Sequence, residues 1–269
     1  MIIVKVPIEN SSDPLGCSKA GNEIIARFPE RYISESNKET IKSNLRLEEI
    51  HLNNKKLEEA HELIYENAFE TIEINEKTIF LGGDHSMSYS IGMAFLDLCK
   101  AEKNKPFLVV FDAHADCKQL NEVNEIPDNR QWLRKLIEEG FPPDKIILVG
   151  LRANTKEENE FLEKHKIRIY RMKDLNDFEE ICDIVMELIR ENQIYLSIDI
   201  DVVDSAFVPG TAHPESAGMT TRQLVYFIQR INLLKNLRAV DISEVNPKID
   251  VNAQTIKLGA KILGEVIGS

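Results

Sequence analysis

The chain reads as an α/β protein built on a parallel sheet, and three observations lead there. Short apolar, β-branched runs alternate with longer amphipathic stretches through all 269 residues, the pattern of βαβ crossovers. The runs are apolar on both of their alternating sides, as strands covered by helices on both faces must be. Behind three of the runs lie acidic and histidine-bearing clusters, at the carboxyl ends where parallel strands open onto one crevice or rim.

Strands are predicted at 2–6, 78–81, 107–111, 145–149, 167–170, 194–198 and 238–242, with a weaker one near 45–52, each a short β-branched or aromatic run. Helices are predicted at 55–74, 86–102, 130–140, 156–165, 177–191, 220–234 and 252–267, with a less regular one after Lys19. The 55–74 segment repeats Leu57, Ala60, Leu63, Ile64, Ala68 and Ile72 on one face, which makes His61 a surface or boundary residue rather than a ligand. Thr220 and Thr221 supply hydroxyls to cap a helix whose apolar face is Leu224, Phe227, Ile228 and Ile231. The count approaches eight of each element, so an eight-stranded barrel and an open doubly wound sheet both remain open, because sequence order does not give strand order. No repeat or Pro/Gly-rich linker divides the chain, and one domain over 1–269 is expected. The polar, aperiodic stretch 117–129 has the character of an active-site loop.

Composition narrows the function. Thirty-three basic against 45 acidic residues give a formal charge of -12, which repels nucleic acid and anionic lipid and favours cationic small molecules. Cys17, Cys99, Cys117 and Cys182 form no paired or metal-ligand spacing, as in a reduced compartment. With no signal-peptide core and no apolar stretch of membrane-spanning length, a cytoplasmic protein without a membrane partner is expected.

The clusters are Gly82-Gly83-Asp84-His85-Ser86, Asp112-Ala113-His114-Ala115-Asp116 and Ser197-Ile198-Asp199-Ile200-Asp201. Spacing by two aims Asp112, His114 and Asp116 to one side while they remain in a strand, and past its end can wrap a metal. Asp199 and Asp201 repeat that spacing, and His85 follows a diglycine turn that lets the backbone approach closely. Four Asp with two His fit a binuclear centre, because carboxylates can bridge two ions whereas imidazoles cannot. Oxygen-rich ligation with some imidazole and no thiolate points to two manganese ions ahead of zinc. The competing reading makes each cluster structural, with Asp84 and Asp112 capping turns and the histidines buried. Gathering six such groups without a cation would then cost several kcal/mol each.

On these residues the chain resembles the arginase, agmatinase and formimidoylglutamase family, the ureohydrolases. The most specific segment is Ser197-Ile198-Asp199-Ile200-Asp201-Val202-Val203-Asp204 followed by Pro209-Gly210-Thr211. Val6-Pro7-Ile8 with Gly16 and Gly21 is similar to the family's opening loop, and Asp241-Ile242-Ser243-Glu244-Val245-Asn246-Pro247 to its final strand and loop. The resemblance implies a single-domain, three-layer fold with an eight-stranded, mostly parallel sheet. It further implies His85, Asp112, Asp116 and Asp199 on one manganese and Asp112, His114, Asp199 and Asp201 on the other, with Asp112 and Asp199 bridging. Hydroxide held there would attack a guanidinium carbon, Asp116 would orient it, and Glu244 would pair with the guanidinium. Trimers or hexamers are common in the family, so a homo-oligomer is expected.

The chain departs from the family at Asn129, where a proton-shuttling His is usual, and no His occurs between His114 and His165. An amide cannot titrate near neutral pH. His213, in place of a common Thr, is a candidate substitute; its other reading is a loop residue that contacts substrate or solvent. Ser205 and Ala217 replace a usual Pro and Gly as tolerated backbone changes. The loop carries Glu122, Glu125 and Asp128, which would repel arginine's carboxylate and attract the free amine of agmatine if they point inward. The expected activity is therefore a manganese amidinohydrolase that releases urea from agmatine. Arginase or formimidoylglutamase activity, and a catalytically weak metal-binding regulatory protein, are the alternatives.

Overall fold

The computed structural model describes residues 1–10, 15–120 and 126–268. Its strands are β1 (Ile2–Lys5), β2 (Arg31–Ile33), β3 (Glu39–Ile41), β4 (Leu47–Glu49), β5 (Thr78–Leu81), β6 (Pro106–Phe111), β7 (Ile146–Leu151), β8 (Arg168–Arg171), β9 (Gln193–Asp199) and β10 (Leu237–Ser243). Its helices are α1 (Ala20–Arg27), α2 (Leu57–Ile74), α3 (Met87–Ala101), α4 (Trp132–Glu138), α5 (Lys156–Lys164), α6 (Phe178–Ile189), α7 (Thr221–Ile231) and α8 (Gln254–Ile267). Eight strands form one open sheet in the order β4-β1-β5-β10-β9-β6-β7-β8, and every pair in it is parallel. β4 and β8 are free edges, so the barrel reading does not hold.

The sheet divides the core in two. In β6, Phe107, Val109 and Phe111 face the side covered by α1, α6, α7 and α8, while Leu108 and Val110 face α2, α3, α4 and α5. That alternation of apolar side chains to both faces is why the strands read as continuous hydrophobic runs. The three-layer expectation is met. At α7, Thr220 accepts from the backbone of Gln223 and the Gln223 side chain accepts from the backbone of Thr220, a reciprocal capping box.

Two features differ from the sequence reading. β2 and β3 form a separate antiparallel hairpin, unforeseen because its strands are three residues long and mostly polar. His61 is buried rather than at the surface, with Nδ1 2.8 Å from Ser90 Oγ of α3, whereas Leu63 is 37% exposed. Burial pushes the imidazole down to about 4, so it packs as a neutral ring between α2 and α3.

Candidate metal centre and active site

The four central strands, β5, β10, β9 and β6, are neighbours in the sheet, and each releases a chemical group at its carboxyl end. Gly82–His85 follows β5, Glu244 follows β10, Asp199–Asp201 closes β9, and Asp112–Asp116 follows β6. The turn after β5 needs its glycines: Gly82 and Gly83 have φ of 79° and 107°, and a Cβ on Gly83 would sit 2.5 Å from the Val6 carbonyl oxygen. That close approach carries His85 into the centre.

His85 Nδ1 lies 3.1 Å from Asp112 Oδ2, 3.0 Å from Asp116 Oδ2 and 3.2 Å from Asp199 Oδ2. On the outer side, His114 Nδ1 is 2.8 Å from Asp201 Oδ2 and 3.6 Å from Asp112 Oδ1. Donor atoms of His85, Asp112 and Asp116 therefore converge, as do those of Asp112, His114 and Asp201, and Asp112 belongs to both groups. His85 Nδ1 and Asp112 Oδ2 are buried without a hydrogen-bond partner, the condition of ligands whose lone pairs await a cation.

The remaining oxygens and nitrogens are tied down by the chain. Asp112 Oδ1 accepts from the His114 backbone at 2.6 Å, Asp201 Oδ1 from Ala113 at 3.1 Å, and Asp199 Oδ1 from Asp201 at 2.8 Å. Asp112 thus caps its turn and still points its second oxygen at the centre, while Asp84 accepts from Ser86 and Asn10 and acts as the cap that the structural reading assigned to it. His85 Nε2 meets Ser197 Oγ at 2.9 Å, and Ser197 in turn donates to the fully buried Asp241 at 3.1 Å. This relay fixes the ring and leaves Nδ1 for the centre. Trp132 Nε1 donates to Asp116 Oδ2 at 2.8 Å.

Electrostatics describe a centre with excess negative charge. Burial, then Asp201 and Asp112, pushes Asp199 well above the carboxylate range. Burial alone would lower His85, but Asp112, Asp116 and Asp199 raise it well above its ordinary value. Burial likewise opposes the charge on His114, yet Asp201 and Asp112 lift it to about 12. These upward shifts share one cause, negative charge crowded in a buried site, which bound divalent cations would offset.

Glu244 is 4% exposed with φ of 60°, a left-handed conformation that costs a non-glycine residue about 1–2 kcal/mol and is often kept at functional sites. Its Oε1 accepts from the His85 backbone at 2.8 Å and from Asn129 Nδ2 at 3.2 Å. Burial, then Asp84, raises it to about 8. Asp116 is strained in the same way, with φ of 48°.

A cavity of about 270 Å³ opens onto this centre. His114, Asp116, Asn129, Asp199, Asp201, His213 and Glu244 all reach it, as do Lys118, Arg130 and Glu215. The His213 ring lies 5.9 Å from that of His114. Asp128 does not reach the cavity; it accepts from the Arg130 guanidinium at 3.0 Å. Glu122 and Glu125 lie outside the described residues. Ser205 sits 3.3 Å from Ser216 through their hydroxyls, and Ala217 takes a φ of 58°. Sequence reasoning missed Trp132, Asp241 and Arg152, whose guanidinium holds the carbonyls of Asp201 and Glu215 at 2.8 and 3.0 Å; only their partners, remote in sequence, reveal them.

An open parallel sheet with an Asp/His cluster at its strand ends defines an α/β protein whose chemistry lies at the carboxyl edge of the sheet. The chain belongs to the arginase family, whose pattern matches residues 1–268. It is 28% identical over 217 residues to an arginase of Staphylococcus aureus, spanning 74% of this chain and 70% of that protein. It is 32% identical over 191 residues to a guanidinobutyrase of Pseudomonas aeruginosa, spanning 70% of this chain but only 58% of that protein. Among solved structures, proclavaminate amidino hydrolase from Streptomyces clavuligerus shares the fold with a TM-score of 0.87 at 22% identity, over 99% of this chain and 90% of that one. No helix among the described residues is long and apolar enough to cross a membrane. The family acts on guanidino and amidino C–N bonds, and this chain is a hydrolase of that kind.

Proposed function

We propose that the protein is a binuclear manganese amidinohydrolase that splits a linear guanidino compound into urea and an amine. The observation that carries this reading is the pair of donor groups sharing Asp112, opening into the same cavity as Glu244. His85, Asp112, Asp116, His114, Asp199 and Asp201 would hold the ions, and an oxygen-rich set with two imidazoles suits manganese. Bound there, the metals would acidify water enough to provide hydroxide at neutral pH.

The protein's own groups do the rest. Glu244, held by the His85 backbone and Asn129, receives the planar guanidinium through charge-assisted hydrogen bonds. That pairing sets the carbon toward the metal side of the cavity. Asp116, oriented by the Trp132 indole, would accept a hydrogen bond from the attacking oxygen and orient it. As the C–N bond to the alkyl nitrogen breaks, the leaving amine takes a proton, for which His213, an imidazole that lines the cavity, is the candidate donor.

Agmatine is the substrate read from the acidic loop. A second reading of the substrate tail rests on Lys118 and Arg130, which line the cavity while Asp128 is engaged with Arg130. Cations at the mouth favour a carboxylate tail, as in arginine or guanidinobutyrate. The relatives named arginase and guanidinobutyrase support the same direction. Urea release by the manganese-loaded protein from agmatine, arginine and guanidinobutyrate, with formamide release from formimidoylglutamate alongside, tests both readings. Activity on none of them at full metal occupancy would instead support a metal-binding regulatory role.

A further inference from the structure

At the opposite end of the sheet from the metal centre, a groove of about 1000 Å³ opens beside the amino-terminal ends of β5, β9 and β10. Among the described residues, Lys38, Lys77, Lys235 and Arg238 line it against the carboxylates of Glu73 and Glu76, in a chain whose net charge is -12. A cationic groove in so acidic a protein is a local exception that opposes the overall field.

The cations here are poorly neutralised from within. Half-buried Lys77 donates to the Asn232 side chain and, at 3.3 Å, to the Val266 carbonyl, both uncharged. Among the described residues, the ion pairs reach Arg238, through Glu102 at 3.3 Å, but none of the three lysines. Burial, then the charge of Lys38, pulls Lys77 down to about 8, so the ammonium groups repel one another across the groove. One further donor on a lining residue, Arg238 Nε, is buried without a hydrogen-bond partner. Native proteins rarely leave such atoms unsatisfied unless something else meets them.

We propose that this groove binds a small multivalent anion carrying phosphate or carboxylate groups, with Lys77 as the central contact and Lys38 and Lys235 closing around it. The volume suits a small molecule. β9 runs from Gln193 at the groove to Asp199 at the metal centre, a span of about 20 Å for strand geometry, so the two sites are separate. The inference is independent of the substrate assigned to the metal centre.

The test is calorimetric titration of the manganese-loaded full chain with inorganic phosphate and, separately, succinate. Binding should weaken by at least about tenfold in Lys77→Met, survive in Lys77→Arg, and weaken in a Lys38→Ala, Lys235→Ala double variant, whose side chains are exposed. Metal content should be unchanged in all three. Stronger binding of phosphate identifies a phosphorylated ligand, and stronger binding of succinate a carboxylate. The proposal is overturned if neither anion binds. It is equally overturned if the lysine variants bind as the parent does while Asp112→Ala abolishes the signal, because the anion would then sit on the metals.

Discussion

Asn129 Nδ2 donates to Glu244 Oε1 at 3.2 Å, at the position where the resemblance leads one to expect a titrating imidazole. The amide acts on the carboxylate proposed to bind substrate, stabilising its ionised form in a fully buried setting. Removing it in Asn129→Ala should lower kcat/KM for the preferred guanidino substrate by about tenfold, the order expected for a hydrogen bond to a charged group. The loss should fall mainly on KM. Unaltered steady-state constants would show that the His85 backbone bond suffices.

Metal occupancy tests the shared ligand. Asp112 contributes to both donor groups, and Asp199 reaches His85 from the end of β9. The purified protein should hold two divalent ions per chain, and Asp112→Ala or Asp199→Ala should lose both. Elemental analysis finding one ion in the parent protein, or two in either variant, would refute the binuclear arrangement.

Without metals, the same charges predict an unusual pH response. Glu244 rises from 4.5 to about 8, and Asp199, His85 and His114 are also raised. The folded state therefore holds protons that the unfolded chain has released, and stability falls as pH rises. The chelator-treated protein should lose melting temperature steadily between pH 5 and 8. Manganese displaces those protons, so the loaded protein should not show that decline. A metal-free melting temperature that climbs through this window contradicts the charge assignment.

The strand-end clusters were legible because each is contiguous: His85, Asp112–Asp116 and Asp199–Asp201 lie within a few residues of an apolar run. Their convergence was inferable from parallel-sheet geometry alone. That β10 inserts between β5 and β9 was not, since strand order is set by pairings between segments far apart in the chain. For the same reason the supports of the centre stayed hidden. Trp132 reads as a helix residue until its indole is seen on Asp116, and Asp241 reads as part of a strand until Ser197 and Tyr195 are seen to donate to it. His61 shows the limit of helical periodicity: it shares a buried face that the apolar pattern assigned to Leu63.

Ala217 offers a stability test away from the chemistry. It is exposed and holds a φ of 58°, in a position where the family resemblance points to Gly. An L-residue there costs about 1–2 kcal/mol, partly offset by the extra entropy Gly has when unfolded. Ala217→Gly should therefore stabilise the protein by about 0.5–1 kcal/mol in denaturant unfolding. Destabilisation would mean that the methyl group makes a favourable contact in the loop.

The most exacting test concerns the proton that the leaving amine must receive. His213 lines the cavity beside His114, and Asn129 occupies the place of the missing imidazole. If His213 carries the proton, His213→Asn should reduce kcat by about a hundredfold or more, the usual contribution of a general acid, and change the shape of the pH–rate profile. Asn129→His should then restore part of the lost turnover in the His213→Asn background. Metal content must be measured in each variant, because loss of an ion would imitate loss of an acid. A fully metallated His213→Asn protein with an unchanged pH profile excludes the imidazole as the carrier. It would leave water as the proton source and restrict His213 to shaping the mouth of the cavity.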